Sequence, residues 1–325
     1  EGFREREIPC DAIYLDIDYM DDFRCFTWNN DAFPNPKQLI KDLSDDGFQT
    51  IVMIDPGIKA DKDYWVNQQG LEGNHFCKRE DGRLMKGPVW PPECHFPDYT
   101  NPKVREWWGG LYEELVNEVG VNGFWNDMNE PALFKINDKT FPLSVRHNYD
   151  GHNCSHKKAH NIYGMQMSRA SLDGIKKLRP EKRPFLLTRA TFSGGQRFAA
   201  AWTGDNLATW EHLHLANTQS QRMSISGFSF IGSDIGGFAE NPTGELFVRW
   251  LQLGIFHPLM RVHTMGAHLD GGAPIDPIEI KKMIESGLVQ DQEPWSFGDE
   301  YTPYAKEAIE LRSEERRVGK ECRSR

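Results

Sequence analysis

Short apolar runs rich in β-branched residues alternate along the chain with stretches whose apolar positions recur at helical spacing. Asp11–Asp18 reads Asp-Ala-Ile-Tyr-Leu-Asp-Ile-Asp and Thr50–Asp55 reads Thr-Ile-Val-Met-Ile-Asp, two strands that each end in a carboxylate. Between them, Asn35-Pro36 predicts a helix start, with a capping side chain and a proline in the first turn, and Gly47 predicts its end. The device recurs at Asn101-Pro102, where Val104, Trp107, Trp108, Leu111 and Leu115 form an apolar stripe ending near Gly120. It recurs again at Asn241-Pro242, running through Leu246, Phe247 and Trp250 to Gly254. The stripe positions of Trp107, Trp108 and Trp250 assign them to the core. Further strands are expected over Gly123–Asp127, Pro184–Arg189, Ala199–Asp205, Gly227–Asp234 and Phe256–His263. Strands followed by helices favour a parallel sheet, and no G-x-G-x-x-G turn follows any of them, so a (β/α)8 TIM barrel is expected over a dinucleotide-binding sheet. Residues 132–160 and 264–294, rich in Gly, Pro, Asn, Asp and His, read as long loops over the functional face.

Composition narrows the class. The 325 residues suit one large barrel, and the net charge of −10 argues against a nucleic-acid binder. No apolar run approaches the ~18 residues of a membrane helix. Six cysteines without a C-x-x-C pair suggest neither a disulfide framework nor a zinc site. Asn153-Cys154-Ser155 matches a glycosylation acceptor, a triplet common by chance. The chain opens on Glu1-Gly2-Phe3-Arg4 with no initiator Met and no apolar leader, so it reads as the middle of something longer and its compartment is hidden. From Arg312 to Arg325 it carries six bases and three acids; this string resembles the in-frame translation of a sequencing adapter and is set aside from fold reasoning.

The chemistry lies at the carboxy ends of the strands. They finish in Asp16 and Asp18, Asp55, Asp127 with Glu130, Arg189, Asp205, Asp234, and Arg261 with His263. In a barrel those ends converge on one mouth, where crowded carboxylates raise one another's pKa. Trp90, Trp125, Trp202, Phe238 and Trp295 lie near these acids in sequence or on adjoining loops. Acids plus aromatic faces suit a sugar, whose C–H faces stack on rings while its hydroxyls bond to carboxylates and Arg. Taken singly, each strand-end Asp reads more readily as a cap or loop tie, and His263 as a structural hydrogen-bonder. His152, His156 and His160 sit in a polar stretch and favour no metal site. The recurrence at strand ends, not any one residue, carries the functional reading.

Trp125-Asn126-Asp127-Met128-Asn129-Glu130-Pro131 resembles the nucleophile signature of glycoside hydrolase family 31, the retaining α-glucosidases. Trp202-Thr203-Gly204-Asp205-Asn206 resembles that family's acid/base segment. Asp16-Ile17-Asp18-Tyr19-Met20-Asp21, Ser233-Asp234-Ile235-Gly236-Gly237-Phe238, and Arg249-Trp250 followed by Arg261-Val262-His263 fit it as well. The resemblance runs from Glu1 to Leu311. It implies Asp127 as nucleophile and Asp205 as general acid, then base, at the roughly 5–5.5 Å separation of a retaining pair. It implies hydrogen bonds to the sugar from Asp16, Arg189 and His263, with Asp234 supporting them. Trp90, Trp125, Trp202 and Phe238 are implied as aromatic walls, and Ile17, Met53 and Met128 as smaller apolar contacts. The pocket is then closed at one end, for exo action on an α-linked gluco-oligosaccharide or α-glucoside, with no metal or organic cofactor.

The resemblance also implies β-domains on either side of the barrel that are absent here, and a first barrel strand lying before Glu1. An incomplete barrel over 1–311 is therefore expected, open between the strands at Asp11 and Phe256, poorly stable and inactive alone. Within the family, α-transglucosylation, α-glucan lysis and α-xyloside hydrolysis are the alternatives. A metal-dependent hydrolase would want an H-x-H pair near a strand end, and a non-catalytic sugar-binding fragment would keep affinity without Asp127.

Overall fold

Asn35 and Asn101 do what their positions predict. In the structure, a computed structural model that describes residues 1–134, 139–265 and 291–323, each side chain caps the helix that follows. Asn35 Oδ1 accepts from the Gln38 amide at 3.1 Å and Asn101 Oδ1 from the Lys103 amide at 3.1 Å. Helix α1 is Gly2–Glu5, α2 Pro36–Asp45, α3 Trp65–Glu72, α4 Pro102–Gly110, α5 His156–Leu178, α6 Trp210–Ile225, α7 Gly244–Gly254 and α8 Thr302–Arg323. After α4 a π-type turn, Glu114–Val119, ends at Gly120 in the left-handed conformation (φ 88°), which an L side chain resists.

The chain divides into two compact units: Asp11–Ala200, and Glu1–Cys10 with Ala201–Arg325. In the first, strands β1 (Ala12–Leu15), β2 (Gln49–Ile54), β6 (Gly123–Asn126) and β9 (Phe185–Thr188) form a parallel sheet in that order. Leu15 registers with Val52, Ile54 with Asn126, and Asn126 with Thr188. These parallel neighbours are joined by crossover connections, as parallel pairing demands. Between β2 and α4 lies a small antiparallel sheet, β3 (Ile58–Lys59), β5 (Cys94–His95) and β4 (Lys86–Gly87), in the order β3-β5-β4. A second antiparallel pair, β7 (Arg146–His147) with β8 (Cys154–Ser155), leads straight into α5. Part of the stretch 132–160 expected as loop is therefore paired strand, and from His156 it is helix. The helix starts at His156, directly after Ser155 of β8 and ahead of the apolar period that begins at Ala159.

The core of this unit is aromatic. Trp108 packs edge-on against Phe26 and Tyr99 at 5.2 and 5.1 Å, and Tyr112 against Phe124 of β6 at 4.7 Å. Trp108 is fully buried, whereas Trp107 is half-buried, stacks on His75 at 4.6 Å and donates Nε1–H to Gln69. The same helical stripe thus places one indole in the core and its neighbour at the rim. Helices α4 and α5 cross at Gly109 and Gly174; a Cβ on Gly174 would lie 2.3 Å from the Gly109 Cα, so the backbones meet where neither residue has a side chain.

In the second unit, β10 (Ala200–Trp202) pairs parallel with β11 (Ile231–Gly232), and β12 (Asp234–Ile235) with β13 (Arg261–Val262). Its core joins Phe247, Trp250 and Leu251 of α7 to Ile235 and to Ala305 and Ala308 of α8. Helix α7 begins two residues later than Asn241-Pro242 suggests: Thr243 is the cap, its Oγ1 accepting from the Leu246 amide at 3.3 Å. Trp295 meets Phe3 edge-on at 4.9 Å and lies beneath the Arg6 guanidinium at 4.6 Å, holding α1. Helix α8 runs on to Arg323, through a string of Glu, Arg and Lys that favours helix. The loop expected over 264–294 falls almost wholly outside the described residues.

Candidate active site

Because β1, β2, β6 and β9 are parallel and in register, the residues just past them lie along one edge of the sheet: Asp16, Asp55, Asp127 and Arg189. Two of them exit their strands through a backbone tie. The Asp127 amide donates to Ile54 O at 3.1 Å and the Arg189 amide to Asn126 O at 3.1 Å, so nucleophile candidate and cation are carried by adjoining strands.

Arg189 organises this edge. Its Nε and Nη2 donate to the two oxygens of Glu130 at 2.7 and 3.1 Å, a two-pronged grip that only a guanidinium offers. The same Nε lies 3.3 Å from Asp127 Oδ1, and Nη2 lies 2.9 Å from the Met128 sulfur. Asn129 braces the arrangement from behind. Its Nδ2 donates to Thr188 Oγ1 at 2.9 Å and its Oδ1 accepts from the Ala190 amide at 3.0 Å, locking the turn after β6 to the turn after β9. Asn129 is buried, so its unpaired amide would be costly, and these bonds define its orientation.

Asp55 differs from the other acids. It is 3% exposed, and burial lifts its pKa to about 8, with the Asp127 charge adding to the rise and the Gly57 amide and Arg189 opposing it. Near neutrality this carboxyl keeps its proton, so the edge carries one fewer negative charge than its residues suggest. Asp16 is exposed and serves as a cap, its Oδ1 accepting from the Ile17 amide at 2.7 Å; the cap reading and the sugar-binding reading are compatible, since a capping carboxylate has a second oxygen. Ile17 is half-buried, while Met53 and Trp125 are buried in the sheet face, and Tyr19 OH donates to Met53 O at 2.9 Å. Trp90 stacks on Phe23 at 6.4 Å and meets Phe134 edge-on at 5.2 Å.

The second unit holds the other expected residues. Asp205 is exposed, three residues past β10 and just after Gly204, whose φ of 81° turns the chain there. Its neighbour Asn206 is buried and acts as a bracket: Nδ2 donates to Asp234 O at 2.9 Å and Oδ1 accepts from the Phe238 amide at 3.0 Å. Asp234 is fully buried and accepts at Oδ1 from Arg261 Nε and Nη2 at 3.1 and 2.6 Å, across the β12–β13 register. Arg261 in turn lies 5.0 Å from the Trp202 ring. Asp234 therefore positions Arg261. Phe238 and His263 stack at 5.2 Å. Burial and the Arg261 charge hold His263 well below the usual imidazole range, so near neutrality its ring is uncharged, with one donor and one acceptor nitrogen. Sequence reasoning singled out neither Asn129 nor Asn206 individually; both lie inside motifs noticed for their acids, and their bonds are non-local.

Comparison with known proteins places the chain in a family. The profile of the glycosyl hydrolases family 31 TIM-barrel domain matches residues 1–314. An α-glucosidase 2 of Bacillus thermoamyloliquefaciens is 44% identical over 312 residues, which are 96% of this chain and 37% of that protein. A crystal structure of a family 31 α-glucosidase from Bacteroides thetaiotaomicron superposes with a TM-score of 0.78 at 40% identity, covering 96% of this chain and 47% of that one. A crystal structure of a glucosidase II α subunit with α3-Glc2 bound superposes with a TM-score of 0.84 at 34% identity, over 96% of this chain and 32% of that one. The chain thus spans from about a third to just under half the length of the proteins it resembles. A profile match over nearly all of it, with the strand-end acids in the motifs that carry the resemblance, shows that the chain belongs to glycosyl hydrolase family 31, in whose TIM-barrel domain it lies.

Proposed function

We propose that this chain is catalytic-barrel sequence of a retaining, exo-acting α-glucosidase that releases terminal α-linked glucose. The observation that carries the reading is Asp127, set past β6 on an acidic strand edge with the Arg189 guanidinium at 3.3 Å. The α-glucosidase names of its relatives support the substrate class.

The steps follow from the groups present. Asp127 attacks the anomeric carbon as the glycosidic C–O bond breaks, and Asp205 gives its proton to the leaving oxygen. Asp205, now a carboxylate, takes a proton from water as that water displaces Asp127, and glucose leaves with its original anomeric configuration. Asp16, Arg189 and neutral His263 supply donors and acceptors for hydroxyls, while Trp90, Trp125, Trp202 and Phe238 supply apolar walls. Ile17, Met53 and Met128 fill the smaller contacts.

The test is the intact protein on a panel of α-linked glucose disaccharides, with the first-formed anomer followed by NMR. α-Glucose appearing first supports the proposal; β-glucose first, or action on α-xylosides alone, overturns it. Asp127→Asn should lower turnover by at least about 10³-fold, as loss of a covalent nucleophile does. Retained turnover in that variant would also defeat the assignment.

A further inference from the structure

Away from the strand-end acids, the first unit brings together a thiol, a carboxylate and an imidazole. The described ligand atoms of Cys77, Asp98 and His147 all lie within 4.8 Å of one another, and all three residues are buried. Backbone pairing places them. Phe76 bridges Pro97 and Lys78 bridges Arg146, so the residue between the two bridges, Cys77, is held beside the residues following its partners, Asp98 and His147.

We propose that Cys77, Asp98 and His147 form a divalent transition-metal site of the zinc or cobalt type. A tetrahedral ion with bonds of about 2.0–2.3 Å holds its N and O ligand atoms roughly 3.3 Å apart and its N and S atoms roughly 3.6 Å apart. His147 Nδ1 lies 3.0 Å from Asp98 Oδ1 and 3.8 Å from Cys77 Sγ, within a few tenths of those spacings. Thiolate and carboxylate together neutralise a dication, which removes the main objection to burying one.

The surroundings orient the ligands as a metal shell requires. Thr100 Oγ1 donates to Asp98 Oδ1 at 2.6 Å and the Asn148 amide to Oδ2 at 2.6 Å. Behind His147 runs a line of imidazoles: His147 Nε2 to His156 Nδ1 at 2.9 Å, and His156 Nε2 to His160 Nδ1 at 2.9 Å. This line satisfies its bonds in either direction. Without metal, each ring donates from Nδ1, and His147 gives its proton toward Asp98. With metal, each ring donates from Nε2, and the His147 Nδ1 lone pair faces the ion. The reversal takes one proton from solvent at the half-buried His160 and releases one at His147; the Cys77 thiol proton also leaves. The balance is one proton released per ion bound.

The experiment titrates Co²⁺ into the intact, reduced protein. One equivalent should produce a thiolate-to-cobalt charge-transfer band in the near ultraviolet, displaced by Zn²⁺, with one proton released per ion in calorimetry across buffers of differing ionisation enthalpy. Cys77→Ser should abolish the band and Cys154→Ser should leave it. His156→Gln, which touches no metal, should weaken binding by about 10–100-fold. Absence of the band in folded wild-type protein, its survival in Cys77→Ser, or its loss in Cys154→Ser would overturn the site and leave a plain hydrogen-bonded cluster.

Discussion

At the scale of single residues, the acids of the strand edge are set apart by environment more than by type. Asp55 is the clearest case, because its folded pKa of about 8 stands far above the ~4 of an exposed carboxyl. The folded state then holds a proton that the unfolded chain gives up, so this group's stabilisation is complete below pH ~4 and is lost as pH rises toward 8. Asp55→Asn, which keeps the neutral shape, should flatten the decline in melting temperature between pH 5 and 8. A variant with the same slope as wild type would show that Asp55 ionises freely. Arg189→Lys should test the neighbouring grip. A single ammonium cannot hold both Glu130 oxygens, and loss of one charge-assisted bond should reduce kcat/KM by about 10–100-fold, while Glu130→Gln should be milder.

At the scale of elements, α5 reaches the site through a glycine. A Cβ on Gly164 would lie 2.6 Å from Asn129 O and 2.7 Å from Ala190 O, the two turns that Asn129 ties together. Gly164→Ala should therefore cost about 1–3 kcal/mol, read as a lower denaturant midpoint with an unchanged m-value. Its turnover should fall too, because the push lands on the turn carrying Asp127. This contact could not be read from sequence, where Gly164 is simply a glycine in a helix. What was legible was local or periodic: the Asn35 and Asn101 caps, and the strands ending at Asp55, Asp127 and Arg189. At Asn241–Thr243 two capping residues compete within three positions, and the later one wins. The two-residue strands β3, β4 and β5 are too short to show a period. The Asp234–Arg261 pair and the link from His147 to Cys77 and Asp98 join distant segments, so no spacing announces them. The acid-bearing motifs were readable because their chemistry is packed into five to seven consecutive residues.

At the scale of the whole molecule, protonation works against Asp55. Burial lowers the pKa of His75, His95, His156, His257 and His263, and that of His156 to about 3. Each such group contributes stability that is present above the unfolded value near 6.5 and is lost as pH falls through that value toward its folded pKa. Several imidazoles should outweigh one carboxyl, so the melting temperature should fall steeply from pH 6.5 toward 4 and more gently from 6.5 toward 8. A protein most stable near pH 4.5 would contradict the burial of these rings. The crossing of α4 and α5 has a different consequence. Gly109 and Gly174 each exclude a side chain at the other, backbone against backbone, so no rotamer change can absorb a methyl group at either. Mutational drift cannot proceed one step at a time here: whichever glycine changes first meets the same wall. In a saturation library the two positions should be depleted together, and a substitution at one should not open the way for the other.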